Sequence, residues 1–250
     1  GDFMTYEQAL AAIHSFPRFG GSPGVERVRT FLNDLGNPQE GLKYIHVAGT
    51  NGKGSTCAIL ASVLKQAGYR TGLFTSPFIS DFCERIQVDA QLIPREALTS
   101  LVEETLPVAH RLEESGEALT EFDFTTALGF LWFARQRCDF VVLEVGLGGR
   151  MDATNVIGTP LVSVLTSISL DHTRILGNTV EQIAAEAPSV QPTPPDLSGQ
   201  PITREGDTIT IGNGEPTHEI DITVSDEEYE AIQQAIPEEK VYDPAAPVYH

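Results

Sequence analysis

Two rhythms of apolar residues alternate along the chain: short β-forming runs, and longer stretches at helical spacing. Met4 to Ser15 places Leu10, Ile13 and its alanines on one side. Val25 to Leu35 does the same with Val28, Phe31, Leu32 and Leu35, so both stretches predict amphipathic helices. Gly36-Asn37-Pro38 stops the second. Tyr44 to Val47 is β-forming. Cys57 to Gly68 returns to helical spacing, with Ile59, Leu60, Val63, Leu64 and Ala67 on one side. Arg70 to Thr75 is a short strand broken by Ser76-Pro77-Phe78, and a polar segment then leads to a strand near Arg85 to Val88. Pro94 opens a helix that runs to about Glu114. Phe122 to Gln136 is apolar nearly all round, which predicts a buried helix. Asp139 to Val145 and Leu161 to Leu165 are continuous apolar runs, the pattern of buried parallel strands. Thr179 opens a further helix with Val180, Ile183 and Ala184 inward.

This alternation predicts an α/β fold over residues 1–186, a mostly parallel sheet flanked by helices. The organisation changes at Ala187. Pro188, Pro192, Pro194 and Pro195 mark a linker over 187–200. Residues 201–250 read as a small acidic appendage, either ββα-like or partly disordered. Asp207 to Ile211 and Glu219 to Val224 alternate like strands there, and Ser225 to Glu228 is a capping box.

Charge narrows the function. The chain of 250 residues has a formal net charge of −19, which argues against a nucleic-acid footprint. Much of it sits from Asp196 onward, where 13 acidic residues face only Arg204 and Lys240, a net −11. Anionic ligands would therefore need local positive charge. Cys57, Cys83 and Cys138 are odd in number and far apart, so neither a disulfide framework nor a metal spacing is expected and a reducing cytoplasm fits. No signal peptide and no membrane span are read.

The chemistry begins at Tyr44-Ile-His-Val-Ala-Gly-Thr-Asn-Gly-Lys-Gly-Ser-Thr56. A strand runs into a turn with Gly49, Gly52 and Gly54, then a helix. Such a turn lets backbone N–H groups converge on an anion, and the helix N-terminus adds positive potential. Lys53 supplies a mobile charge, and Ser55 or Thr56 a hydroxyl. The spacing is not that of a Walker A loop, since only two residues separate Gly49 from Gly52-Lys53. Ser76, Glu144 and His172 each fall just past the carboxyl end of a predicted strand, the edge where open α/β sheets bind ligands. A hydroxyl, a carboxylate and an imidazole beside phosphates would suit Mg2+, although imidazole is an unusual ligand for it. Gly146, Gly148 and Gly149 permit close approach to a ligand. Arg150, Asp152 and Asn155 follow at once with groups suited to a polar heterocycle or a carboxylate. Arg85 could pair with an anionic substrate.

Val47 to Ser55 and Leu143 to Asn155 resemble the two signature stretches of the folylpolyglutamate synthase/dihydrofolate synthase family, within the Mur ligase superfamily. Gly24 to Arg27, Thr75 to Phe78, Glu84 to Ile86, Thr120 to Asp123 and Leu170 to His172 also resemble family segments in the right order. The resemblance covers roughly Met4 to Glu186. It implies a Mur-ligase-like ATPase domain with a P-loop, in truncated form. It also implies an ATP- and Mg2+-dependent ligase that joins L-glutamate to a folate or dihydropteroate carboxylate through an acyl phosphate. By family position, Gly49, Thr50, Asn51, Gly52, Lys53, Gly54 and Ser55 would bind ATP. Ser76 and Glu144 would hold one Mg2+ and His172 contribute to a second, with Lys53, Glu144 and His172 in catalytic roles. Gly24, Val25, Glu26, Arg85, Thr120, Glu121, Phe122, Asp123, Met151, Asp152 and Ala153 would line the substrate site. A monomer without nucleic-acid or membrane partners is expected. Two departures stand out. The family's Glu-Lys-Ala-Gly run is replaced by Glu186-Ala-Pro-Ser189, which removes a lysine, and nothing from Pro188 onward resembles the family's C-terminal domain. A non-catalytic nucleotide- or pterin-binding protein with an acidic, partner-binding tail is the alternative.

Overall fold

A computed structural model of the chain describes residues 4–18, 25–169, 176, 179, 183, 184, 202–205 and 208–211. The chain divides into two compact units, Gly1–Gln191 and Pro192–His250.

The first unit begins with α1 (Tyr6–Ser15) and α2 (Glu26–Asp34). Thr5 and Gln8 cap α1 reciprocally, which satisfies two of the N–H groups that a helix start leaves open. Then come β1 (Tyr44–Ala48), α3 (Lys53–Gln66) and β2 (Thr71–Phe74). A 3-10 turn (Phe82–Arg85) leads into β3 (Ile86–Val88) and β4 (Gln91–Leu92). Two long helices follow, α4 (Arg95–Glu114) and α5 (Glu121–Arg135), then β5 (Phe140–Glu144), a second 3-10 turn (Ala153–Val156) and β6 (Val162–Leu165).

The six strands form one sheet in the order β4-β3-β2-β5-β1-β6. β2, β5, β1 and β6 are parallel neighbours, while β3 and β4 turn back antiparallel at one edge. The parallel register brings Val47 beside Glu144 and Val164, so the carboxyl ends of β1, β5 and β6 open at one edge. The larger core lies on the face covered by α1, α2, α4 and α5, where Phe31, Phe74, Phe124, Phe130 and Phe133 are fully buried. The opposite face carries α3 over Ile45, Val47, Leu73 and Val142.

Two expectations are corrected. The sheet-facing stripe of α3 is the buried Cys57 with the partly buried Leu60, Ala61 and Leu64, while Ile59 and Val63 are exposed at 65% and 56%. Both stripes have helical spacing, and only contact with the sheet decides between them. β6 is an edge strand rather than a buried one: Val162 and Leu165 point to opposite faces, and both are about half exposed. An apolar run alone does not distinguish the middle of a sheet from its rim.

In the second unit β7 (Ile202–Glu205) and β8 (Thr208–Ile211) pair antiparallel, Ile202 opposite Ile211. β8 falls within the predicted Asp207 to Ile211 run; β7 was not predicted, although Gly206-Asp207 between the two strands is a hairpin signal. The predicted Glu219 to Val224 strand, the capping box at Ser225 and the whole 187–200 linker lie outside the described residues. Among the described residues no helix is long and apolar enough to cross a membrane.

Candidate functional site

β1 delivers the glycine-rich turn to the open edge of the sheet. Gly49 sits at φ +134°, and a Cβ there would lie 2.0 Å from Thr166 Oγ1, so no other residue fits. Gly52 takes the left-handed conformation at the N-cap of α3, and no side chain caps the helix. The helix therefore starts at Lys53, and among the described residues no side chain accepts from its first N–H groups, the arrangement that suits an anion. Lys53 Nζ folds back to donate to Gly49 O at 2.9 Å and Thr50 O at 3.3 Å.

Not every N–H of the turn is available. Thr50 donates its own to Ser167 O at 2.8 Å. Its hydroxyl accepts from Ser169 N at 3.0 Å. Asn51 bridges to Ser167 and reaches Ser169 Oγ. Thr50 and Asn51 thus tie the turn to the segment after β6. The clamp from Thr166, Ser167 and Ser169 was missed in the sequence. Its signal was a hydroxyl-rich run directly after a strand.

Opposite the turn, β5 ends in Glu144. It is 4% exposed and accepts from Ser76 N at 3.0 Å. Burial pushes its carboxyl above the ordinary value, against the Ser76 amide and the charges of Lys53 and Arg85. A cavity of about 200 Å³ opens at this edge, lined by Gly49, Lys53, Ser76, Gly146, Gly148 and Ile168 among others. Lys53, Ser76 and Glu144, far apart in sequence, are brought together here. Among the described residues no group of three His, Cys, Asp or Glu side chains forms a metal cluster. The Glu144 carboxylate and the Ser76 hydroxyl are hard oxygen donors that fit Mg2+. His172 and Gly24 lie outside the described residues.

The loop after β5 is held from within. Asp152 is 6% exposed. Its carboxylate accepts from Leu147 N at 2.9 Å, Thr154 N at 3.0 Å and the Thr154 hydroxyl at 2.5 Å. Thr154 Oγ1 in turn lies 2.8 Å from His46 Nε2 on β1. Burial pushes the His46 imidazole down to about 4 and the Asp152 carboxyl up, the latter opposed by its hydrogen bonds to Thr154, Leu147 and Gly146. Asp152 is thus an internal clamp, and Asn155 likewise turns back to Arg150 O at 3.0 Å. Met151 is exposed at 44%, whereas Ala153 is buried. No local pattern marks His46 as a partner of this loop.

Phe122, at the start of α5, packs on the same loop: a Cβ on Gly146 would fall 2.5 Å from its ring. Thr120 and Asp123 form the capping box of α5. Asp123 also pairs with Arg27 of α2 at 2.5 Å, so its carboxylate is spent on structure. Glu121 contacts His14 at 3.3 Å. Glu26, the residue after Val25 at the start of α2, is exposed and lies 3.6 Å from Arg29. The Thr120–Asp123 segment therefore reaches the loop after β5 through Phe122, while Glu26 is exposed.

Residues 47–188 match the Mur ligase middle domain. The folylpolyglutamate synthase of Lacticaseibacillus casei is 48% identical over 183 residues, 72% of this chain and 42% of its own length. A probable bifunctional folylpolyglutamate synthase/dihydropteroate synthase of Haloferax volcanii is 40% identical over 230 residues, 89% of this chain and 27% of its own. That share of the chain exceeds the first compact unit, so the likeness extends into the second. A solved FPGS-AMPPCP-folate complex superposes with a TM-score of 0.70 at 46% identity, over 73% of this chain and 45% of that one. The chain thus spans less than half the length of these relatives. Through its middle domain the chain belongs to the Mur ligase family, and its likeness there is to the folylpolyglutamate and dihydrofolate synthases.

Proposed function

We propose that the chain carries the nucleotide side of an ATP-dependent ligase that joins L-glutamate to a folate or dihydropteroate carboxylate. The observation that carries this reading is the uncapped start of α3, with Lys53, packed beside the buried Glu144 at a small cavity that Lys53 and Ser76 line. The reaction is phosphoryl transfer followed by acyl transfer. A carboxylate oxygen of the acid bonds to the γ-phosphorus of ATP as the bond from that phosphorus to the β–γ bridging oxygen breaks, and ADP leaves. The glutamate nitrogen then bonds to the acyl carbon, gives up a proton, and inorganic phosphate leaves.

In this reading the first N–H groups of α3 and Lys53 hold phosphate oxygens. Ser76 and Glu144 hold Mg2+, and His172 adds a donor; bound there, the ion would neutralise phosphate charge. Phe122 and Met151 border the pterin, beside Gly24, Val25 and Ala153. The folate- and nucleotide-bound relative supports this assignment by likeness. The protein acts as a monomer in a reducing cytoplasm, in keeping with three buried free cysteines.

The test is ADP release by the purified chain with ATP, Mg2+, L-glutamate and either dihydropteroate or a reduced folate. Release that depends on the acid supports the ligase. Nucleotide binding without acid-dependent release supports the second reading, a binding protein that does not turn over. The run Glu186-Ala-Pro-Ser189, without the family's lysine, favours that second reading.

A further inference from the structure

The segment from Phe78 to Arg85 is held rigid by its own charges, with one exception. Asp81 accepts from Cys83 N at 2.9 Å, from the Tyr6 hydroxyl at 3.0 Å and from Arg95 at 2.6 Å. Glu84 accepts from Ile79 N at 2.7 Å, Asp81 N at 3.0 Å and the Ser80 hydroxyl at 2.6 Å. Arg85 has no such partner. Its Nε is buried without an acceptor, and among the described residues its guanidinium makes no ion pair. It rests instead on two aromatic rings, 5.3 Å from Phe78 and 5.5 Å from Phe82.

Its position gives the unpaired cation a meaning. Arg85 O accepts from Thr75 N at 3.0 Å, so the residue stands across from Thr75, next to Ser76. The guanidinium feels Glu121, at the start of α5, and Glu144, at the end of β5. Its backbone thus stands beside Ser76, which lines the cavity, while its charge reaches both Glu144 and Glu121. Glu121 is engaged by His14 and Glu144 by the Ser76 amide, so neither closes on it. A partly buried guanidinium with no acceptor is costly unless an anion completes it.

We propose that Arg85 binds the reacting carboxyl group of the acid substrate, as a carboxylate before phosphoryl transfer and as an acyl phosphate after it. This rests on the ligase reading and deepens it. The aromatic pair fixes the planar donor fork, and a carboxylate or phosphate oxygen pair matches that fork in two parallel hydrogen bonds. Oriented in this way, the carboxylate presents one oxygen to the γ-phosphate bound at Lys53.

The experiment compares binding of pteroate with binding of its primary carboxamide, on the full chain saturated with a non-hydrolysable ATP analogue and Mg2+. The amide is nearly the same shape but lacks the charge. The wild type is expected to favour the acid by about tenfold or more, and R85Q to lose most of that preference while binding the amide as before. Affinity for the ATP analogue, unchanged within about twofold, serves as the control for folding. R85K retains charge without the fork and is expected to keep only part of the preference; it decides the matter if R85Q does not fold. A wild-type preference that persists undiminished in R85Q, or in R85K where R85Q fails, overturns the assignment while leaving the ligase intact. A wild type that binds neither compound removes the ligase reading and the Arg85 proposal together.

Discussion

The imidazole of His46 lies 2.8 Å from the hydroxyl of Thr154, which itself donates to Asp152. This contact joins the strand that enters the glycine-rich turn to the loop after β5, the two walls of the cavity. Burial lowers the His46 pKa from 6.5 to about 4, so the folded state holds the ring neutral while the unfolded chain protonates it first. The unfolded state binds more protons between those values, so stability rises with pH there. The His46 contribution is complete above pH 6.5 and is lost as pH falls toward 4, a change of about 3 kcal/mol at most. Urea unfolding midpoints measured from pH 7.5 to 4.5 should therefore fall more steeply for wild type than for H46Q. Parallel curves would show that His46 is not held neutral.

The phosphate end of the cavity makes a separable prediction. Lys53 gives the fold two hydrogen bonds to carbonyls of its own turn. Net bonds of this kind contribute about 1 kcal/mol each, whereas a charged hydrogen bond to phosphate contributes more. K53M should lower affinity for a non-hydrolysable ATP analogue by about 10- to 100-fold and move the unfolding midpoint only slightly. Calorimetric titration beside thermal unfolding checks both. Equal affinity in K53M would place the phosphates elsewhere.

Much of this arrangement was legible in the sequence, for identifiable reasons. The glycine-rich turn, the strand-ending Glu144 and the helix of Phe122 to Gln136 carry local signals: special backbone angles, a carboxylate closing an apolar run, and an apolar stretch without a polar face. What escaped is long-range. Nothing near His46 indicates Thr154, 108 residues away. Asp152 and Asp123 look like ligand groups because each is a carboxylate beside a site. Their burial and internal partners depend on packing that no local pattern encodes. The exposure of β6 and of Ile59 follows from which elements lie beside them, so an apolar run was read as core.

Gly146 tests how closely the loop after β5 is fitted. A methyl group there would lie 2.5 Å from the Phe122 ring and 3.0 Å from Asp152 Oδ2. Both neighbours are held in place, the ring against Phe74 and the carboxylate by its hydrogen bonds from Leu147, Thr154 and Gly146. G146A should cost about 1–3 kcal/mol, the usual range for overpacking. Adding F122A to G146A should recover part of that loss, so the double mutant would be more stable than the sum of the singles predicts. Strict additivity in denaturant unfolding would mean that the ring yields without cost.

Glu144 sets stability against function most sharply. Its carboxylate is buried and, among the described residues, accepts one hydrogen bond, from Ser76 N; burial outweighs the help of that bond and of Lys53 and Arg85. An ionised group in that position is retained at a cost to the fold. The amide of glutamine has nearly the same volume and can still accept from the Ser76 amide. E144Q should therefore unfold at an equal or higher temperature than wild type, by about 1 kcal/mol in stability. The same change removes the negative charge that would hold Mg2+ beside Ser76. Affinity for the ATP analogue should accordingly lose its dependence on Mg2+, while the Mg2+-independent part survives. The two readouts separate the possibilities: a destabilised E144Q would make the carboxylate a structural partner of Lys53 and Arg85, and an intact Mg2+ response would remove it from the metal site.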